Sequence, residues 1–242
     1  QSPDAELYHL ILDRRLVAAL NQEAENLCKI TRRLTSQAVS FPFLRPEVAL
    51  LLEEEFYAAT AGRTCRRYVL SSYGDTVGEA GNELGSQVAA RITSFISESV
   101  FPKLLPMVSD SATPFCAEKF VYMLRYITTT ADQDAGRVFK CHTDDSDMSL
   151  VVCFGSSRGW RGANLVYVDG VRPCTPDLED PETVKVQHEH EIGGAVLHIS
   201  EAYHVVTPLQ EGERLSLVVF GMLDDARWKR SFYSEMAAES MR

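Results

Sequence analysis

Apolar positions Leu7, Leu10, Ile11, Leu16, Leu20, Leu27 and Ile30 recur at a largely helical spacing through residues 4–36, which predicts helix with one buried stripe. A second helix is predicted over "PEVALLLEEEFYAA", with Pro46 suited to its first turn. A third runs through "NELGSQVAARITSFISESVF" and ends near Pro102 and Pro106. The first 116 residues therefore read as mainly helical. From residue 117 the period changes to alternation, and seven segments read as strands: "AEKFVYMLRYITT", "MSLVVCFG", "ANLVYVDG", "TVKVQHEHE", "GGAVLHIS", "HVVTP" and "ERLSLVVFGM". Gly, Pro, Ser and Asp clusters separate them. Short strands at this pace predict a sandwich or barrel over residues 117–222 rather than βαβ units. Residues 223–242 read as a closing helix, and the whole as one domain with a helical annex.

Composition adds limits to this picture. With 45% hydrophobic and 24% charged residues in 242, the chain can bury a sizeable core without staples. A net charge of −10 argues against sequence-independent attraction to nucleic acid or anionic membranes. The pairs Arg14-Arg15, Arg32-Arg33 and Arg66-Arg67 read as solvated helix faces. Cys28, Cys65, Cys116, Cys141, Cys153 and Cys174 form no CxxC pair, which excludes zinc ribbons and thioredoxin-like motifs and leans towards reduced thiols in an intracellular setting. The stretch "LSLVVFGML" is too short to span a membrane, and Gln1 opens no signal-peptide pattern.

The chemistry gathers in two places. In "CHTDDSDMSLVVCFG", His142 and Asp144 stand two apart just before a strand; sixty residues after Asp144 comes His204, followed ten residues later by Arg214 and then Ser216. Two imidazoles and one carboxylate on separate strands are the ligand set of a facial triad, which leaves three positions of a ferrous ion open. The turn in "PLQEGE" is expected to fold the chain back, so that Arg214 and Ser216 share one strand face and point into the same cavity. A guanidinium fork beside a hydroxyl suits a carboxylate. Asp145, Asp147 and His198 are alternatives for the same roles, His198 reading rather as a packed or supporting residue. His188 and His190 share one strand face and read as a solvated edge strand, with an adventitious zinc site as the alternative.

The ordered set "HTD", "H" and "RLS" resembles the Fe(II)- and 2-oxoglutarate-dependent dioxygenases, in particular their prolyl- and lysyl-hydroxylase-like branch. "MLRYITT", "GWRGANLVYV" and "GGAVLHIS" resemble that family's surrounding strands, and the likeness covers residues 117–222. It implies a single catalytic domain with a double-stranded β-helix, or jelly-roll, core buttressed by the N-terminal helices. It implies that His142, Asp144 and His204 are the catalytic metal ligands, that Arg214 and Ser216 hold the distal carboxylate of 2-oxoglutarate, and that Tyr126 lines that pocket. Cys153 stands where some members place a tyrosine, and Asn164 where a second glycine is usual. The implied cofactors are Fe(II), 2-oxoglutarate as cosubstrate, and ascorbate. The implied reaction is hydroxylation of a C–H bond on a protein or peptide side chain, prolyl or lysyl. A small-molecule or nucleobase oxygenase is the alternative, and a non-catalytic metal- or peptide-binding jelly roll is the reading from another class.

Overall fold

The computed structural model describes residues 8–21, 25–61, 67–72, 98, 100–108, 115–127, 141–168 and 183–223. In chain order the helices are α1 (Arg14–Leu20), α2 (Glu25–Ile30), α3 (Pro46–Ala59) and α4 (Phe101–Leu104). The strands are β1 (Arg32–Thr35), β2 (Ala38–Pro42), β3 (Arg67–Ser72), β4 (Phe115–Ile127), β5 (Met148–Gly155), β6 (Trp160–Gly162), β7 (Leu165–Val168), β8 (Lys185–His188), β9 (Gly194–Ile199), β10 (His204–Val206) and β11 (Leu209–Leu223). The seven strands and the helix over residues 46–59 stand where their sequence patterns predict them.

All strand pairs are antiparallel, in a larger sheet of order β1-β2-β9-β5-β11-β4-β3, with β6 beside β11, and a smaller sheet of order β10-β7-β8. His142 adds to the smaller sheet through a bridge to His204. Followed along the chain, β4, β5, β9 and β11 lie in the larger sheet, while the His142 segment, β7, β8 and β10 lie in the smaller. This alternation between two facing sheets is a double-stranded β-helix, or jelly roll.

Alternation along the larger sheet sorts its side chains into two layers. Leu150, Val152 and Phe154 of β5, Ala195 and Leu197 of β9, and Leu215, Leu217 and Val219 of β11 pack with Leu16, Leu20, Phe56 and Phe101 of the helices. Each fully buried aliphatic side chain contributes about 1.5–3 kcal/mol relative to exposure, so this layer supplies most of the stabilisation. The opposite face carries Ser149, Cys153, His198, Arg214 and Ser216, every one of them buried. Apolar contact between the sheets runs through Leu165, Tyr167, Val196 and Val206, with Tyr126, Val186 and Leu209 packed against them.

The helical reading of residues 4–36 is corrected at its C-terminal end. Helix stops at Ile30, and Arg32–Thr35 pairs with Ala38–Pro42 as a hairpin. Hairpin pairing hides Leu34 and leaves Arg32 and Arg33 exposed, while β2 is buried on both faces and pairs with β9. Tertiary pairing overrides the local helical spacing here. Arg32 and Arg33 therefore sit on a strand rather than a helix face, and Arg33 donates to the Met107 carbonyl at 2.7 Å. With β3 also paired to β4, the first 116 residues contribute three strands to the larger sheet rather than helical support alone. Most of the helix expected over 82–101, and the closing helix after Leu223, lie outside the described residues.

The fold-back expected in "PLQEGE" does not occur: the chain runs on from β10 into β11 in one antiparallel register, from His204 opposite Tyr167 to Gly212 opposite Trp160, and then joins β4 and β5 in the larger sheet. Gly212 instead lies within β11, at φ +73, where a Cβ would meet the Gly159 carbonyl oxygen at 2.1 Å. Glycine permits β11 to pass close to the chain at β6.

Candidate functional site

His142, Asp144 and His204 each turn one ligand atom to a common point, all within 4.8 Å of one another, and among the described residues theirs is the group of this kind. Antiparallel pairing fixes the two histidines, since the backbones of His142 and His204 exchange hydrogen bonds of 3.0 and 2.9 Å. Asp144 follows on the same segment, two residues on. Its Oδ1 lies 3.7 Å from Nε2 of both His142 and His204, too far for hydrogen bonds. Its Oδ2 is 2.9 Å from Nε2 of His198.

The hydrogen bonds assign the rings. Nδ1 of His204 lies 2.9 Å from the Ala202 carbonyl, which can only accept, so that nitrogen carries the proton and Nε2 presents a lone pair. Burial first, then His198, pushes the His204 pKa down to about 4, which keeps the ring neutral near pH 7. Nδ1 of His198 lies 2.9 Å from the Tyr167 hydroxyl. With Nε2–H of His198 donating to the Asp144 carboxylate, Nδ1 accepts from Tyr167. Burial would raise the pKa of Asp144, but the hydrogen bond from His198, with help from His204 and Ser149, holds it well below the usual carboxylate range. The site is thus an ionised carboxylate oxygen facing two imidazoles, at least one of them neutral and lone-pair-first. Electron-pair donors turned towards one another repel unless a cation lies between them, and two imidazoles with one carboxylate suit a divalent transition metal.

A second polar group lies along the same inner face. Arg214 and Ser216, two apart on β11, are fully buried, and among the described residues Nε, Nη1 and Nη2 of Arg214 and Oγ of Ser216 have no hydrogen-bond partner. The strand register sets Arg214 opposite Tyr126, whose ring lies 4.2 Å from the guanidinium carbon. Cation–π contact supplies only part of what a guanidinium gains from water. Guanidinium donors left without a firm partner among the described residues in a buried site call for an anion, and a carboxylate fits their planar fork.

Other sequence candidates fall elsewhere. Asp145 is exposed, while Asp147 is tied through its backbone N–H to the Gly221 carbonyl at 3.0 Å. Asn164 is held by its backbone to Thr207. His198 is fully buried against Asp144 and Tyr167, so it orients the carboxylate through the nitrogen it would need for a metal. His188 and His190 are not solvated: His190 is buried and His188 half-buried, and Arg214 acts electrostatically on both. Tyr167 went unnoticed in the sequence because "NLVYV" reads only as a strand; its one signal is a tyrosine hydroxyl at an inward-facing position.

No family model and no curated protein matches the sequence. Solved structures share the fold. A protein from Shewanella oneidensis named as an oxygenase aligns with a TM-score of 0.55 at 12% identity, covering 94% of this chain and 97% of its own. IDO from Bacillus thuringiensis aligns at 0.50 with 13% identity, over 85% and 96%. An oxidoreductase of the 2OG-Fe(II) oxygenase family from Burkholderia pseudomallei aligns at 0.42 with 12% identity, over 82% and 77%. At such identities the likeness is one of fold.

Proposed function

We propose that the chain is an Fe(II)- and 2-oxoglutarate-dependent oxygenase. The observation that carries this reading is the pairing, on one inner face, of a three-ligand cluster with a buried guanidinium that lacks an anion. Either alone has commoner explanations; together they match a metal chelated by a 2-oxo acid whose far carboxylate is held at depth. His142, Asp144 and His204 would hold the iron. Arg214 would hold the distal carboxylate with Ser216, and the Tyr126 ring would fix the guanidinium in place. When bound, iron supplies dioxygen activation coupled to loss of carbon dioxide from the oxo acid. In sum, 2-oxoglutarate, dioxygen and a C–H bond become succinate, carbon dioxide and C–OH.

The protein's own groups supply order. His198 holds Oδ2 of Asp144 so that Oδ1 faces His142 and His204, and the Ala202 carbonyl fixes the His204 tautomer. Arg214 neutralises one negative charge in a water-poor site. His142, whose side chain is 48% exposed, marks the side from which a substrate reaches the cluster.

For substrate, we infer a prolyl or lysyl side chain of a protein or peptide. That reading rests on the sequence resemblance around "HTD", "H" and "RLS". Succinate release by the ferrous protein, first alone and then with proline- or lysine-containing peptides, small 2-oxo-acid-pathway amino acids and single-stranded DNA, tests both levels. Succinate formed in none of these would overturn the oxygenase reading; stimulation by DNA or small molecules but not peptides would overturn the substrate.

A further inference from the structure

The inner face holds more unmatched polar atoms than Arg214 and Ser216 provide. On β8 exposure alternates: Lys185 and Gln187 are exposed, Val186 and His188 half-buried. Val186 packs on the cluster between the sheets, so His188, two residues on, turns the same way. Glu189 is then exposed and His190 buried. The two rings meet edge to face with centroids 5.1 Å apart. Nδ1 of His188 and both ring nitrogens of His190 are buried without a hydrogen-bond partner among the described residues. The cation of Arg214 acts on both rings, and Tyr126, under that cation, packs against the same cluster as Val186.

Leaving both nitrogens of a buried imidazole unmatched forfeits the hydrogen bonds that water gave them. Nothing in the metal cluster uses these rings. We propose that His190, positioned by His188, is a carboxylate-binding residue: its ring N–H donates to the same buried carboxylate that Arg214 grips. This rests on the oxygenase reading and extends it, because it makes the deep end of the cavity a donor set from both sheets that selects a dicarboxylic oxo acid over a monocarboxylic one. An ionised carboxylate has about four lone-pair sites, enough for the guanidinium fork, the serine hydroxyl and one imidazole. Charge balance agrees. Burial and Arg214 push the His190 pKa well below its ordinary value, so the ring offers a donor without adding charge, and one carboxylate neutralises one guanidinium.

The test is binding rather than turnover. Anaerobic ferrous protein is titrated with 2-oxoglutarate and with 2-oxobutyrate, which lacks the distal carboxylate, for wild type, His190→Phe, His190→Gln and Arg214→Met. His190→Phe should weaken 2-oxoglutarate by about tenfold to a hundredfold, as expected for a lost hydrogen bond to a charged group. Its affinity for 2-oxobutyrate should not change, and His190→Gln, which keeps an N–H donor, should recover much of the loss. In the wild type labelled at histidine, the ring signals missing from His190→Gln should shift on adding 2-oxoglutarate and stay put with 2-oxobutyrate. Binding of 2-oxoglutarate by His190→Phe as tight as wild type, or unmoved ring signals at saturation, would overturn the inference while Arg214→Met still loses affinity. Wild type that takes up no 2-oxoglutarate would instead sink the oxygenase reading, and this inference with it.

Discussion

The two ends of the space between the sheets treat their polar groups in opposite ways. At the cluster end, partners already hold the ligands: His198 takes one oxygen of Asp144, Tyr167 backs His198, and the Ala202 carbonyl fixes His204. These bonds leave Oδ1 of Asp144 and Nε2 of His204 turned towards each other at the common point. At the guanidinium end, Arg214, Ser216, His188 and His190 have nitrogens or oxygen without a hydrogen-bond partner among the described residues, and the Tyr126 ring covers the cation. The first end is ordered by the protein before any ligand arrives, as a metal's angular demands require. The second is ordered by burial and the Tyr126 ring, and its remaining donors, unmatched among the described residues, await an occupant. Failure at each end should therefore look different: at the first, metal is lost; at the second, metal stays and the organic anion is lost.

The largest effect belongs to the ligands themselves. His142→Ala, Asp144→Ala and His204→Ala should each abolish iron-dependent turnover and lower iron affinity by more than the roughly 10–100-fold that a lost supporting hydrogen bond costs. The fold should survive, since the helix-facing apolar layer is untouched; iron titration with circular dichroism checks both. Next comes Arg214→Ala, which removes two charge-assisted hydrogen bonds of about 1.5–3 kcal/mol each. The 2-oxoglutarate needed for half-maximal turnover should rise at least about a hundredfold, with iron affinity unchanged. Arg214→Lys restores charge without the planar fork and should fall between. Equal loss of iron and cosubstrate in Arg214→Ala would erase the contrast between the ends.

A smaller effect separates support from ligation within the cluster. His198→Phe leaves three ligands but frees Asp144 to rotate, so iron should still bind, about 10–100-fold more weakly. Tyr167→Phe, one step further out, should cost less. If His198→Phe removed iron altogether while His204→Ala kept it, His198 would be the ligand and the assignment of the cluster would be wrong.

Much of this contrast could be read in the sequence, and the unread part has a physical cause. The "HTD", "H" and "RLS" spacing points to His142, Asp144 and His204, which the structure brings together, and to Arg214 and Ser216, which strand alternation sets on one buried face. What alternation cannot report is which strand faces which. The edge-strand reading of "VQHEHE" is correct in that β8 borders the smaller sheet, yet an edge strand still has an inner face, and His188 and His190 turn to it. The hairpin at residues 32–42 was hidden for a similar reason: β2 owes its buried state to β9, more than 150 residues away, and no local window contains that partner. His198 was ambiguous because its role depends on Asp144, reached across the sheets.

Acid probes the guanidinium end without a ligand. Burial, then Arg32 and Arg214, lowers the His188 pKa to about 4; His190, its ring neighbour, is also held well below its ordinary value. An unfolded histidine protonates near 6.5. Between about 6.5 and 4 the unfolded chain therefore binds a proton at this position that the folded protein refuses, and stability falls as pH falls through that window. Below about 4 the folded ring protonates too, and the loss levels off. Carboxylates whose folded values are depressed begin to cost stability only below their unfolded values near 4, so the histidines dominate the upper window. His188→Gln cannot titrate and should make the metal-free protein less acid-sensitive, shrinking the drop in unfolding free energy between pH 7 and pH 5 by up to about 2 kcal/mol. Urea unfolding in the presence of a chelator at the two pH values measures it. An unchanged drop would mean that water reaches His188 freely, and the deep end of the cavity would then be as solvated as the mouth.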